Sequence, residues 1–203
     1  MKRTIPVLSI VLLSTALFAG KTWRLVPEQS SLDFSTGLIL VLPELSNVEE
    51  NPQNITRVNG HFADFQVRLI QESEDFSRGR VEARIDAASI FTGNTSRDRY
   101  LTSKDFLDVE NFPQIVFVGK QFVPLGNNMY LIKGQLTIKD VTRPVTLRAH
   151  LAEKGKNRLR FSAATEIDRY DFGLKWRDVL ESGAMRVNRR IDIKIDAVFV
   201  PEL

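Results

Sequence analysis

The sequence predicts an all-β protein whose strands close around an apolar interior, with one short helix among them. Three observations carry this. Apolar and polar residues alternate with period two along most of the 203-residue chain. The connections between these runs use Gly, Asn, Asp and Pro, the residues of tight turns. One segment, Thr92 to Pro113 (TGNTSRDRYLTSKDFLDVENFP), interrupts the alternation with charges and hydroxyl-led turns.

The N-terminus reads as an address rather than as fold. Lys2 and Arg3 precede a mostly apolar run, Ile5 to Phe18, and then the small pair Ala19-Gly20. This is the order of a secretory signal, and the run is shorter than the roughly 20 apolar residues of a membrane span. Residues 1–20 are therefore expected to be a signal peptide, and 21–203 a single exported domain large enough to bury a core of its own. Without Lys2 and Arg3 the 28 basic residues fall to 26, against 25 acidic ones. Acids and bases are interleaved, so no basic surface for nucleic acid is expected. The chain has no cysteine, which removes disulfides, thiol catalysis and a lipoprotein anchor.

The strands follow in order. SSLDFSTGLI comes first. RVNGHFADFQVRLI changes phase between Phe62 and Phe65, which predicts a bend. GRVEARIDAASI turns Val81, Ala83, Ile85 and Ala87 to one face. QIVFVGKQFV and MYLIKGQLTI pair across PLGNN, and KDVTRP connects tightly to the next strand. PVTLRAHLAEK presents Val145, Leu147, Ala149 and Leu151; NRLRFSAATEI presents Leu159, Phe161, Ala163 and Ile167. DRYDFGLKW is expected as a further strand with Tyr170, Phe172, Leu174 and Trp176 on one face. RRIDIKIDAVFV closes the series with Ile191, Ile193, Ile195, Ala197 and Phe199. Strands apolar on one face can close as a barrel of about eight or pack as two sheets, and the alternation alone leaves both open. Leu42 to Thr56 and Lys175 to Arg186 are the main breaks. Leu38 to Leu42 is apolar on both phases, which predicts a cover, a second subunit of a homodimer.

The interrupting segment reads as a broken helix, Ser96 to Leu107, between two strands. Thr95 and Asp98 have capping-box spacing. Tyr100, Leu101 and Phe106 form its apolar face, and Pro113 ends it. It is too short to stand alone and is expected to lid one end of the fold.

Polar candidates are few. Arg97 and Asp98 suit a ligand head group, with Arg97 facing an anion, or a helix cap and a salt bridge holding the lid. Arg169 and Asp171 suit a pairing with the lid or the wet face of a strand, and Gly173 suits a crowded approach or a bend. His61 and His150 are the only histidines, too few and wrongly spaced for a metal. No nucleophile motif is present, so no catalytic residue, metal or cofactor is expected and the protein is not read as an enzyme.

Three stretches, SIFTGNTSRDRYLTSKDFLDVENFPQIVF, KGQLTIKDVTRPVTL and EIDRYDFG, resemble the YceI-like family of bacterial periplasmic proteins, and the likeness runs from WRLVPEQSSLDF to IDIKIDAVF. The family usually has His at the position of Tyr100, and often His-Ser where this chain has Ser30-Ser31. The resemblance implies an extended, lipocalin-like antiparallel barrel with a short helix at one end. It also implies a periplasmic location, a long apolar ligand (a polyisoprenoid or related lipid) and transient membrane contact for its transfer. The ligand would meet Phe34, Phe62, Phe91, Phe117, Phe161, Phe172 and Trp176 on the barrel, with Arg97, Tyr100, Leu101 and Phe106 on the lid. The competing expectation is a solid-core barrel that acts through its loops, because a packed core and a ligand tunnel use the same residue types.

Overall fold

The computed structural model describes residues 20–40, 55–175 and 185–202. The expected signal peptide, Trp176 and most of both predicted breaks lie outside the described residues.

Eight antiparallel staves close into a barrel. The first is β1 (Lys21–Leu25) and β2 (Ser31–Leu40), separated by a 3-10 turn at Pro27–Gln29. Ser30 fixes this kink: its hydroxyl donates to Val26 O (2.8 Å) and accepts from Val198 N–H (3.0 Å). The second stave is β3 (Ile55–Phe62) and β4 (Phe65–Gln71), bent at Ala63-Asp64 where the sequence changes phase. The third is β5 (Gly79–Asp86) and the short β6 (Ile90–Phe91). Then come β7 (Gln114–Gly126), β8 (Met129–Ile138), β9 (Val141–Lys154) and β10 (Leu159–Asp168). A three-residue β11 (Met185–Val187) pairs with β2, and β12 (Arg190–Pro201) completes the set. Each stave pairs with its chain neighbour, and β12 closes the ring with two partners. Ile193 lies opposite Phe34 of β2, and Phe199 lies opposite Leu25 of β1. β12 pairs with β10 on one side and with β1 and β2 on the other, so the sheet closes on itself, which settles the choice against a sandwich.

The hairpin chemistry holds. Gly126, Asn127 and Asn128 turn β7 into β8 with φ of 86°, 49° and 58°, the left-handed values this loop needs. The alternation also holds: Leu147, Ala149, Leu151, Leu159, Phe161 and Ala197 are buried. On the wet face, ion pairs such as Arg160–Asp196 (2.6 Å) and Arg57–Asp192 (3.2 Å) bridge strands. Exposed pairs of this kind contribute about 0–1 kcal/mol each, so the barrel rests on its interior and its backbone ladders.

Two local expectations are corrected. From Arg169 to Lys175 the DRYDFGLKW stretch is not a strand. Asp168 accepts from Tyr170 N–H (2.9 Å), which caps a 3-10 turn over Arg169–Phe172. Gly173 follows with φ 69° and open space around its Cβ position. It is there for left-handed backbone, not for crowding. The helix α1 is shorter than expected, Thr95–Thr102, and Asn94 rather than Thr95 caps it, accepting from Arg97 N–H (2.9 Å). Bonded turns continue to Phe112, with Leu107 N–H donating to Leu101 O (3.1 Å) and Phe112 N–H to Asp108 O (2.8 Å).

The two ends of the barrel differ. At the end away from α1, Trp23, Leu69, Phe76, Leu151 and Leu159 are almost fully buried. Phe76, Tyr130, Phe161 and Phe199 meet edge to face there, with centroids 5.6–6.4 Å apart, the favourable geometry for such rings. At the other end α1 and its trailing turns cover the barrel. Among the described residues no helix is long and apolar enough to cross a membrane.

Candidate ligand-binding cavity

Between the packed end and α1 the barrel is hollow. A cavity of about 560 Å³ is walled by residues of most staves and by the lid. That volume lies within the roughly 300–1,000 Å³ of pockets that take small molecules. The inward set of β12, Ile191 to Phe199, runs along most of its depth. Eight residue steps of a tilted strand span about 20 Å along the barrel axis. The space is thus drawn out.

Small residues make the bore. Ala83 and Ala163 face it at mid-depth, and Ala149 and Ala197 face it lower down. Gly119 and Gly134 remove side chains beside Phe117: a Cβ at Gly134 would lie 2.7 Å from that ring and 2.8 Å from Gly119 Cα. Gly60 does the same for Phe34, whose ring covers it and packs on Phe62 at 5.7 Å. Elsewhere Leu, Ile, Val and Phe supply the wall.

The lid contributes Tyr100, Leu101 and Phe106 to the lining. Leu101 and Phe106 are each 5% exposed, and Tyr100 packs on Phe106 at 6.0 Å. Polar side chains gather at this end: Thr36, Thr92, Asn94, Ser96, Arg97 and Arg169 all border the cavity. Arg97 donates from Nε to Thr92 Oγ1 (2.7 Å) and from Nη2 to Thr92 O (2.9 Å). Asp98 accepts the Thr92 N–H (3.0 Å) and its hydroxyl. The two charged side chains therefore clamp Thr92 from either side and tie β6 to α1. Among the described residues Arg97 makes no ion pair, which corrects the expected lid salt bridge. The link runs through a threonine instead.

Arg169 differs more from its expectation. It is 1% exposed, so it is not a wet-face residue. It donates to Asn188 O (3.1 Å), Leu174 O (2.7 Å) and Val187 O (3.0 Å), binding the turn after β10 to the chain around β11. Its guanidinium and that of Arg189 both stack on Tyr170, at 4.6 and 4.7 Å. Burial pushes the Asp168 carboxyl up. The Tyr170 N–H, the Arg189 guanidinium and the Arg169 charge outweigh it and hold the group below the usual carboxylate range.

Of the barrel residues expected to meet a ligand, Phe34, Phe62, Phe117 and Phe161 line the cavity. Phe172 sits in the 3-10 turn and is buried in the core, 2% exposed, but is not part of the lining, so its place there is corrected. Phe91 is 53% exposed and stacks on His61 at 5.3 Å. It lies opposite His61 at the barrel rim, in the phase opposite to buried Ile90, so its place in the lining is corrected. Sequence reasoning missed Leu32, Val58, Ile132 and Leu136, which line the bore. Their alternation in β2, β3 and β8 carries that signal. Nothing in the sequence marks Arg169 as buried.

A closed barrel with a drawn-out apolar interior under a helix is a frame suited to holding an apolar molecule. The chain belongs to the YceI-like family, whose domain model matches residues 23–199. A UPF0312 protein of Shewanella denitrificans is 31% identical over 146 residues, covering 70% of this chain and 74% of that protein. A UPF0312 protein of Pseudomonas putida is 30% identical over 146 residues, covering 70% and 73%. Among solved structures, BcnA of Burkholderia cenocepacia superimposes with TM-score 0.69 at 23% identity, covering 86% of this chain and 98% of its own. A polyisoprenoid binding domain from Saccharophagus degradans, implicated in plant cell wall breakdown, superimposes with TM-score 0.62 at 12% identity, covering 89% and 98%. At these identities the structural likenesses establish a common fold.

Proposed function

We propose that this protein is an exported, periplasmic holder of one long apolar molecule, a polyisoprenoid or related lipid, serving as carrier or store rather than as an enzyme. The single observation that carries the reading is the cavity of about 560 Å³ beneath α1, walled by Leu, Ile, Val and Phe side chains with polar groups gathered at one end. An apolar chain there would bury most of its surface and leave a polar end at Thr92, Asn94 and Arg97. The polyisoprenoid-binding description of the Saccharophagus degradans domain supports the ligand class. The N-terminal Lys-Arg, apolar run and Ala19-Gly20 support export. Phe91, 53% exposed at the rim, supports a transient membrane contact for loading. The cavity weighs against the solid-core alternative, since a barrel working only through its loops has no use for a hollow interior at a cost in packing. A homodimer belongs to the same reading, and a monomer mass by light scattering at micromolar concentration would remove it.

The test is lipid extraction of the purified protein followed by mass spectrometry. An isoprenoid or other long-chain lipid near one per chain is expected. Repeated preparations free of any lipid, and unable to take one up, would overturn the reading.

A further inference from the structure

The end of the barrel away from α1 is sealed by a device that the fold holds in place at some cost. Between β4 and β5 the chain turns back so that Phe76 enters the barrel. Phe76 is 0% exposed and has φ 61°, backbone that is unusual and costly for a bulky residue. The turn is tied on several sides. Gln71 Nε2 and Lys154 Nζ donate to Glu74 O (3.4 and 3.1 Å), and Gly79 N–H donates to Phe76 O (2.7 Å). Asp75 accepts from Ser77 N–H (3.0 Å) and Ser77 Oγ (2.7 Å). Gly79 makes room for the plug: a Cβ there would lie 2.8 Å from Phe76 O and 3.1 Å from the Phe122 ring.

The cavity stops at this plug. Phe122, Phe161 and Phe199 line its lower end, whereas Phe76 and Tyr130 stand behind them and do not. Phe76 packs edge-on against Phe161 at 5.6 Å and against Tyr130 at 6.1 Å. With the floor closed and the polar groups at the opposite end, an apolar chain has one orientation, tail toward the floor.

We propose that the aromatic floor backed by Phe76 is a length gauge: it sets the longest apolar chain the barrel can bury whole. The inference rests on the lipid-holding reading above. Each methylene that enters the bore raises affinity about fourfold, the hydrophobic increment expressed as a binding ratio. A methylene that no longer fits stays in water and adds nothing. Affinity plotted against chain length therefore rises steeply and then breaks, at the length where the tail reaches the floor.

The experiment titrates delipidated protein with saturated fatty alcohols of increasing length, by competition with a bound fluorescent fatty acid. Wild type is expected to show the rise and the break. Phe76→Gly removes the ring while suiting the positive φ, and Phe122→Leu lowers the floor from within the wall. Both should move the break to longer chains. Ala163→Phe, which fills the bore at mid-depth, should move it to shorter ones, and Leu125→Ala on the exposed β7–β8 hairpin should leave it in place. Should Phe76→Gly fail to fold, Phe122→Leu and Ala163→Phe carry the test between them. A break that stays put in every folded floor and bore variant would overturn the gauge while leaving lipid binding intact. Wild type that binds no alcohol of any length would overturn the lipid-holding reading itself.

Discussion

Leu101 and Leu151 are both buried leucines, 5% and 1% exposed, yet the structure assigns them different costs of removal. Leu101, on α1, borders the cavity; Leu151, on β9, sits in the packed end and does not. Truncating a core leucine costs about 2–5 kcal/mol, and the spread follows how many partner atoms are lost and how large a void is left. Leu101 already faces empty space on one side, so it has fewer contacts to lose. Leu101→Ala should therefore fall near the low end, about 2–3 kcal/mol, and Leu151→Ala near the high end, about 4–5 kcal/mol. For a domain of this size, about 2–4 °C per kcal/mol converts these to drops of about 4–12 °C and 8–20 °C in Tm. The assay is thermal and urea unfolding of delipidated protein, with unchanged m-values showing that the denatured state is not what moved. A loaded lipid should widen the Leu101→Ala deficit, because the ligand then supplies the contacts the cavity lacks. Equal costs for the two variants in the empty protein, or a Leu101→Ala cost near zero, would refute both the hollow interior and the lid.

Gly60→Ala should displace the Phe34 ring that covers Gly60, costing about 1–3 kcal/mol as overpacked cores do. It should also lower the amount of lipid retained, since Phe34 lines the bore; an unchanged melting point and unchanged retention would contradict this. The Asp75 carboxyl is held down to about 2 by hydrogen bonds from the Ser77 and Ser73 side chains and the Ser77 backbone. Its folded pKa lies below the ordinary value of 3.8, so its stabilisation is present above about pH 4 and is lost as pH falls toward 2. Asp75→Asn should thus weaken the protein at neutral pH and flatten the acid limb of stability between pH 4 and 2, measured by urea unfolding across that range. An identical acid limb in wild type and variant would show that the carboxylate is idle.

Much of the fold was legible because half-buried antiparallel strands state their inner face directly. Ile191, Ile193 and Ile195 of β12 and Leu147, Ala149 and Leu151 of β9 fall inward as period two requires. The bend at Ala63-Asp64 was legible as a phase change, and the β7–β8 turn as Gly126, Asn127 and Asn128. The Asp168–Gly173 turn was not, since Tyr170, Phe172 and Leu174 alternate as a strand would. What decides it is a side-chain cap from Asp168 together with a left-handed glycine, both local geometry that a period count ignores. The lid was legible through Tyr100, Leu101 and Phe106. The burial of Arg169 was not, because it donates to the main-chain carbonyls of Val187 and Asn188, which the fold brings to it from nearly twenty residues away. Nor was the hollow itself: Phe117 and Phe161 read the same whether they pack on side chains or border a space, and the floor depends on one residue, Phe76, placed by a loop.

A crystal structure of the protein purified without detergent tests the lipid-holding barrel most directly. Continuous tubular density for a single apolar chain is expected, running from beneath Tyr100 and Arg97 down to the rings of Phe122 and Phe161, with the polar end of the molecule at Thr92. An interior closed by rearranged side chains, with no space between α1 and the aromatic floor, would contradict it.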